Sequence, residues 1–399
     1  MKTKIRKFGA GLMAAAVAFT LAGVAFAEDG WVWGVAEFSD GTKQSLTTTN
    51  AAGEAVLTDD DLAGGTPVAI EFQGTEAIPV GGIVLSGKAI TFSGSAPLQA
   101  DGTNSAFRLT DGDWTFKGLT FKGVGETKKA VYDGGAIDCE GGKLTLEGCT
   151  FTNLVTRFTG GAVSARELTG DMLVTNCTFV GNKSHPINGY GGALYASAAT
   201  DADVRLDVVD CRFAENMAEN GGAICTLVIS SDDEDPVTLA ITDGPGKTTF
   251  EKNAAIYEGG AVFAEGPVWI EGSNTLFKAN WAGFGAGAVC LTGVQGFFTP
   301  VTMTVTNGVV FADNETSTNV TWTAGGAIAV MPEGCKLEVY RAVFTNNCAK
   351  SGPEKGPSFG GAVYTGDGVT NRFWKTAFVD NEASAGNLWC YGGAISVAG

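Results

Sequence analysis

Two short strings alternate along this chain, and their order limits the folds that it can adopt. The first is Gly-Gly-Ala followed by an aliphatic residue, and its first glycines are Gly134, Gly160, Gly191, Gly221, Gly259, Gly325, Gly360 and Gly392. Ala286-Gly287-Ala288-Val289 is a degenerate copy. The second is Phe-x-x-Asn, found as the pairs Phe179/Asn182, Phe213/Asn216, Phe250/Asn253, Phe277/Asn280, Phe311/Asn314, Phe344/Asn347 and Phe378/Asn381. Such alternation is typical of a solenoid in which each repeat adds one coil.

Each repeat contains three runs with the alternation of a β-strand. After the glycine pair, apolar residues such as Ile137 and Cys139 occupy the fourth and sixth positions, around a mixed fifth position such as Asp138. A second alternating run, such as 143–147, precedes each motif phenylalanine, which lies in a third short strand. No helical period separates these runs. The pattern predicts an all-β fold, a right-handed single-stranded parallel β-helix of the pectin-lyase-like type over residues 68–399, with full repeats from about residue 115.

The motif residues have structural roles in this prediction. Equivalent residues of successive coils lie about 4.8 Å apart, so each motif phenylalanine is expected to stack on the next in the interior. The asparagine is expected to turn the following corner in a left-handed conformation and to bond its neighbours. The glycine pair supplies positive φ and close backbone approach at the next corner. Phe151-Thr152-Asn153 is interpreted as a shortened copy of the second motif.

The N-terminus has the composition of a secretory signal covering residues 1–27. A basic start is followed by an apolar stretch, and Ala25-Phe26-Ala27 provides a small-x-small cleavage site. We expect an exported protein with no membrane-spanning segment after signal removal, in which residues 28–67 form a cap over the first coil. The chain carries a net charge of −17, and loss of the four basic signal residues would leave −21. Such an acidic chain repels nucleic acid.

The alternation of Gly-Gly-Ala-Ile/Leu/Val with Phe-x-x-Asn resembles the repeats of chlamydial-type polymorphic outer-membrane proteins, over residues 115–399. The resemblance implies an autotransporter passenger, a β-helical surface adhesin carried by a C-terminal membrane barrel. The sequence departs from that pattern because it stops at Gly399, partway through a coil. We expect either a piece of a longer protein or a secreted relative without the barrel, and an uncapped last coil favours the piece.

Nine cysteines in an exported chain leave at least one thiol without a partner in the same molecule. Cys149, Cys177 and Cys211 each stand two residues before a motif phenylalanine in consecutive coils, which predicts an inward stack. That stack is either a ladder of small apolar thiols or a site within disulfide reach. Cys348 and Cys390 are interpreted as lying in corresponding corner loops of adjacent coils, and are the best disulfide candidates.

Known enzymes with this fold need site residues that the sequence does not show. A glycosidase needs two carboxylates about 5–9.5 Å apart in one groove, and a lyase needs a base beside calcium-binding carboxylates. Matched aspartates in adjacent coils and an outward basic ladder are both missing from the pattern. His185 is predicted to be a solvated corner residue, and the acidic run 232–235 is either a loose calcium site or a solvated loop. We therefore predict no enzyme, and no catalytic, cofactor-binding or metal-binding residue.

The remaining candidate surface consists of outward side chains. The fifth position and the other strands supply five aromatic residues predicted to face outward, Tyr195, Phe263, Tyr364, Trp269 and Trp374. They either contact ligands or pack beneath long corner loops. Cys225 and Cys290 share the fifth position two repeats apart and are not expected to pair. We predict a non-catalytic adhesin-like surface protein with unknown protein or glycan ligands. A carbohydrate-active β-helix enzyme and a purely structural spacer are the alternatives.

Overall fold

The computed structural model describes residues 31–62, 65–100, 102–125, 133–228, 236–292, 300–318, 322–331, 333–352, 356–386 and 389–398. Within these ranges the chain winds through short strands that pair in parallel with the equivalent strands of the coils before and after. A single turn of 3₁₀ helix, Asp59–Asp61, is the one helical element of the described residues. The parallel β-helix predicted from the repeats is therefore confirmed.

One face of the rod is a 13-stranded sheet, called here the wide sheet. In spatial order its strands are Lys43–Leu46, Gly34–Phe38, Pro67–Phe72, Ala89–Gly94, Asp113–Lys117, Lys143–Glu147, Met172–Thr175, Arg205–Val209, Thr238–Thr242, Val268–Glu271, Thr302–Thr306, Lys336–Tyr340 and Thr370–Trp374. The strand Gly34–Phe38 pairs antiparallel with both of its neighbours, and all later pairs are parallel. The first coil therefore meets an antiparallel hairpin instead of an open parallel edge.

Two further ladders share a 22-stranded sheet, because the long strand Ile78–Ser86 belongs to both. The glycine strands mostly follow a Gly-Gly-Ala motif and are Ala55–Thr58, Ile78–Ser86, Phe107–Thr110, Ile137–Glu140, Val163–Leu168, Leu194–Ala198, Ile224–Thr226, Val262–Ala264, Val289–Leu291, Ile328–Val330, Val363–Thr365 and Ile395–Val397. The phenylalanine strands are Leu98–Ala100, Thr120–Lys122, Thr150–Thr152, Thr178–Val180, Arg212–Ala214, Thr249–Glu251, Leu276–Lys278, Val310–Ala312, Val343–Thr345 and Ala377–Val379.

Shorter strands close the corner between the phenylalanine and glycine strands in the later coils. A six-stranded sheet comprises Met217–Ala218, Ala254–Ala255, Trp281–Ala282, Glu315–Thr318, Cys348–Ser351 and Glu382–Ala385. A three-stranded sheet comprises Thr323–Ala324, Ser358–Phe359 and Cys390–Tyr391. Three short strands per repeat were predicted, and the structure adds these corner strands to them.

The interior is held by a continuous stack of phenylalanine rings. From Phe121 through Phe151 to Phe378, the ring centroids of successive coils lie 4.6 to 5.0 Å apart and the ring planes differ by 10° or less. This spacing is that of neighbouring strands, so the backbone register fixes the stack. The predicted phenylalanine ladder is confirmed.

The asparagine ladder lies beside this stack, and its amides run the length of the repeats. Each amide Nδ2 of Asn182 through Asn381 donates to the phenylalanine carbonyl of the preceding coil at 2.9–3.1 Å. From Asn182 to Asn347 it also donates to the Oδ1 of the next asparagine at 2.9–3.0 Å. The same Oδ1 accepts the backbone N–H of the preceding asparagine. Such chains of buried amides satisfy every polar group that they bury.

The prediction that the asparagine itself adopts the left-handed conformation is wrong. Positive φ belongs to the residue before it, such as Gly181 at 67° or Glu215 at 57°. Asn153, with φ of 54°, occupies that preceding position, and buried Leu154 stands where later coils have the ladder asparagine. Residues 151–154 are therefore a full-length motif whose asparagine is replaced, because the corner needs a residue that tolerates positive φ one place earlier.

The two glycines of each pair have different roles. The first takes positive φ, 64° at Gly259 for example, and in the degenerate copy Ala286 takes φ of 53° at this place. The second lies against the neighbouring coil: a Cβ on Gly260 would stand 2.1 Å from the Gly287 carbonyl oxygen. Positive φ and close approach were both predicted, and both are found. A Cβ on Gly259 would also lie 2.2 Å from a backbone oxygen, that of Val262, which belongs to its own turn and not to the next coil.

Candidate functional site

The outward side of the glycine strands is covered along its middle part. Tyr195, Cys225, Phe263, Cys290 and Ala329 are direct register neighbours in successive coils, and we call them the covered row. Tyr195 is 3% exposed and Phe263 is 6% exposed. The row forms its own apolar cluster, packed against Tyr190, Leu227, Met331 and Tyr364.

The covered row decides between two interpretations of the fifth-position aromatics. Tyr195 and Phe263 pack under neighbouring side chains and are not a contact surface. Tyr364 is half-buried at the edge of the same cluster. Cys225 and Cys290 share one line, as predicted, and Phe263 separates them. These residues therefore stabilise the rod.

Two acids, the half-buried Glu258 and the buried Glu265, border the covered row. The Sγ of Cys290 lies 4.0 Å from Oε2 of Glu258, and burial raises the pKa of the Glu258 carboxyl to about 7. Glu265 is 7% exposed and accepts the Val228 N–H at 2.8 Å. Burial raises the pKa of Glu265 as well, although the bond from Val228 opposes the shift. The cluster thus holds acids that favour the neutral form.

Stability should fall with pH through the titration of Glu258. Because its folded pKa lies above the unfolded value of 4.5, the stability that it contributes is complete below pH 4.5 and is lost as pH rises through 7. We expect Glu258→Gln to gain on the order of 2 kcal/mol over the wild type between pH 5 and pH 8. Urea unfolding at both pH values measures this, with the exposed Glu76→Gln as control. Equal effects of Glu258→Gln at the two pH values would contradict the assignment.

A charged cluster precedes the covered row on the same side of the glycine strands. Nη2 of Arg166 lies 3.0 Å from Asp138 and 3.3 Å from Glu140, and its Nε lies 3.7 Å from Asp133. Burial raises the pKa of Asp138 to about 6, against the opposing effect of Arg166. This cluster was not predicted from the sequence, although Glu140 and Arg166 are matched residues of adjacent glycine strands.

The cysteines are free thiols throughout the structure. Cys149, Cys177 and Cys211 form the predicted inward stack, in which the Cys149 N–H donates to Cys177 Sγ and the Cys177 N–H to Cys211 Sγ, both at 3.4 Å. The suggestion that Cys348 and Cys390 lie in corresponding loops is wrong. Cys348 is in register with Glu382, and Cys390 with Ser358, because the intervening corner loops contribute strands to two different sheets.

Native thiol labelling should follow burial. Cys390 is exposed and Cys348 is half-buried, whereas the other seven thiols are buried. Burial also raises the pKa of thiols such as Cys225 and Cys290, which suppresses the reactive thiolate. We expect iodoacetamide to modify Cys390 first and the seven buried thiols only after unfolding, as read by mass spectrometry. Modification of Cys149 or Cys177 in the folded protein would contradict the stack.

The outer side of the wide sheet remains open and carries the two predicted tryptophans. Trp269 is 41% exposed and Trp374 is 56% exposed. Trp269 donates its indole N–H to Glu271 at 2.9 Å. A groove of about 420 Å³ beside it is lined by Arg205, Thr238 and Thr304 among others. This face therefore presents aromatic rings beside hydrogen-bonding groups, the combination common at ligand contacts.

A second groove of about 420 Å³ lies beside Trp374 and includes Tyr340, Arg341 and Arg372. Trp374 was predicted to face outward, whereas the two arginines were not predicted from the sequence. The alternation in 370–374 could have revealed Arg372, since it places Arg372 and Trp374 on the same outward side. Arg341 follows the preceding strand in a turn with φ of 60°, for which its sequence has no simple signal.

Two other sequence predictions concern polar loops. His185 is half-buried, and its Nδ1 lies 2.7 Å from the Ile187 carbonyl oxygen and 3.1 Å from the Ile187 nitrogen, within its own turn. The acidic run 232–235 and the signal segment lie outside the described residues. Within the described ranges, no group of three His, Cys, Asp or Glu side chains could hold a metal ion. No helix among those ranges has the length and apolar character to cross a membrane.

The repeats are similar to sequences of known proteins. Residues 176–197, which include Phe179 and the Gly-Gly-Ala of 191–193, match the Chlamydia polymorphic membrane protein repeat. The repeats are of the chlamydial polymorphic membrane protein type. The chain is also 36% identical over 98 residues to the probable outer membrane protein pmp1 of Chlamydia pneumoniae. That match spans 23% of this chain, and it covers about a tenth of the relative's length, 10%.

The polymorphic-membrane-protein type of repeat supports an exported location at the cell surface or outer membrane, as predicted. No solved structure is significantly similar.

Proposed function

We propose that this protein is an exported, non-catalytic adhesin-like passenger whose wide sheet binds ligands outside the cell. The observation that carries the proposal is the exposure of Trp269 and Trp374 on the same open face, at 41% and 56%. Tryptophan is enriched at protein contact surfaces, because its ring combines a large apolar area with one polar N–H. In the covered row, by contrast, neighbouring side chains bury Tyr195 and Phe263.

The rod geometry suits this function because it holds the contact residues at fixed distances. Trp269 is in register with Thr304, which is in register with Glu338 and then Arg372. Three strand spacings therefore separate the strands that carry the two tryptophans, roughly 14 Å at ~4.8 Å per coil. An extended ligand can contact both grooves without any rearrangement of the protein.

Arrays of glycans and of extracellular proteins test the proposal. The purified exported chain should give reproducible binding to at least one immobilised ligand, and chain unfolded in urea should not. No hit on either array would contradict the adhesin proposal and favour a structural spacer.

A carbohydrate-active enzyme is the second candidate, and the charged cluster around Arg166 favours it. Three carboxylates converge there, and Asp138 has a pKa of about 6, which suits proton transfer near neutral pH. Against it, one guanidinium already contacts all three acids and Asp138 is only 8% exposed. Incubation with neutral and uronic-acid polysaccharides distinguishes the two. Chain cleavage that Asp138→Asn abolishes would contradict the non-catalytic proposal.

A further inference from the structure

The second groove has a composition unlike the rest of this acidic molecule. It is lined by Thr306, Asn307, Tyr340, Arg341, Arg372 and Trp374, and we call it the Arg-Trp pocket. Two guanidinium groups and two aromatic rings thus meet within about 420 Å³, in a chain with a net charge of −17. Pockets of this size lie within the range that holds small ligands, about 300–1,000 Å³.

The cations of the Arg-Trp pocket are available to an outside anion. Among the residues that the structure describes, neither Arg341 nor Arg372 forms an ion pair, whereas Arg166, Arg205 and Arg212 each do. Unpaired guanidinium groups bind carboxylate and sulfate oxygens through paired, charge-assisted hydrogen bonds. The pocket therefore has the donors for one anionic group.

Two acids border the pocket, and each is already engaged with a neighbour. Glu338 is in register with Arg372, yet its Oε2 accepts the Tyr340 hydroxyl at 3.2 Å. Glu271 accepts both the Trp269 indole N–H and the Asn307 amide. Neither carboxylate is among the residues that line the Arg-Trp pocket.

The aromatic rings fix the cations and provide an apolar surface. The Cζ of Arg372 lies 5.7 Å from the Tyr340 ring centroid, a cation–π distance that restrains the guanidinium. Lys375 Nζ lies 5.7 Å from the Trp374 ring centroid, which adds a third positive charge at the rim. Trp374 remains 56% exposed, which leaves a wide apolar surface beside the cations.

We propose that the Arg-Trp pocket binds an acidic saccharide residue, one carrying a carboxylate or sulfate. The anionic group would bond to Arg341 and Arg372, the apolar C–H face of the sugar ring would pack on Trp374, and Thr306 and Asn307 would bond its hydroxyls. An acidic peptide lacks a rigid apolar ring face to match Trp374, so we favour the saccharide. This inference rests on the proposed adhesin function and names its ligand class.

Calorimetric titration of the purified exported chain tests the inference. The probes are 3′-sialyllactose, a galacturonic acid trimer, a heparin-derived tetrasaccharide, neutral lactose and hexaglutamate. The test variants are Trp374→Ala and the double variant Arg341→Asn with Arg372→Gln, in which asparagine tolerates the left-handed turn at 341. The matched control removes the same charge elsewhere, with Arg157→Gln and Arg212→Gln. Thermal unfolding confirms that each variant is folded.

At least one acidic saccharide should bind about 10-fold more tightly than lactose, and each test variant should weaken it by about 10-fold or more. The control variant should bind like the wild type. The inference is overturned if no acidic saccharide binds, if the double arginine variant binds unchanged, or if hexaglutamate binds as tightly as the saccharides. If the arrays give ligands but no acidic saccharide, the inference about the pocket is overturned and the adhesin proposal stands. If the arrays give no ligand at all, both are overturned.

Discussion

Gly260→Ala should lower the free energy of unfolding by about 4 kcal/mol or more, because the new Cβ would collide with backbone on two sides. It would lie 2.1 Å from the Gly287 carbonyl oxygen and 2.5 Å from that of Trp281. Both atoms belong to the next coil, whose position is fixed by the stack above it. Relief would require neighbouring coils to separate, which breaks their ladder of hydrogen bonds. Equilibrium urea unfolding measures the loss.

Gly259→Ala is the matched control for this prediction. Gly259 has φ of 64°, but alanine occupies the equivalent place in the degenerate repeat, where Ala286 takes φ of 53° while fully buried. A Cβ on Gly259 would lie 2.2 Å from the Val262 carbonyl oxygen, but that atom belongs to the same turn, and the repeat with Ala286 has a methyl group at this place. The cost should therefore be smaller than at Gly260, about 1–2 kcal/mol for the left-handed conformation of alanine. Equal losses for the two variants would contradict a greater cost for the contact between position 260 and the next coil.

Asn280→Leu should destabilise the rod by about 4 kcal/mol, since it interrupts the buried amide ladder in its middle. Oδ1 of Asn280 accepts both the backbone N–H and the amide of Asn253, at 3.0 Å each. Its own amide donates to Phe250 and to Asn314, at 2.9 Å each. Leucine leaves two donors and a carbonyl without these partners in a site that excludes water.

The same change at Asn182 should cost about half as much. The preceding coil has Leu154 at the ladder position, so Oδ1 of Asn182 accepts one N–H, at 3.1 Å, and no amide. Asn182→Leu thus leaves one donor without an acceptor where Asn280→Leu leaves two. Unfolding measured by urea titration should rank the two variants in this order. A larger loss at Asn182 would contradict the directional ladder.

The fold was predictable from the sequence because the same inward-facing positions carry similar residues in many repeats. Equivalents of Phe179 and Ile137 occur in the other coils, so a wrong assignment of one strand can be recognised by comparison with the other repeats. Cys149, Cys177 and Cys211 were placed correctly for the same reason: they occupy a regular slot that Thr248 and Ala342 fill elsewhere.

Predictions were wrong where the chain departs from regularity. Cys348 and Cys390 stand in corner loops whose lengths differ between coils, and counting along the sequence cannot show that these loops form separate sheets. Only the dihedral angles show which corner position Asn153 occupies. Asparagine suits both the ladder position and the position of positive φ just before it. The contacts of Arg166 and of the Arg-Trp pocket join side chains of different coils. The alternation of a strand shows which residues face outward, but it does not show which of them meet across coils.

We propose that the regular motif residues form the rod and that the irregular outward residues bind ligands. The most direct test measures array binding and the unfolding midpoint of two variants, the double variant Trp269→Ala with Trp374→Ala and the single variant Asn182→Leu. The account predicts that the double variant unfolds like the wild type yet loses binding by about 10-fold or more, since its exposed rings contribute contacts and not stability. Asn182→Leu should unfold earlier and bind normally while folded. Full binding by the double tryptophan variant would contradict the account.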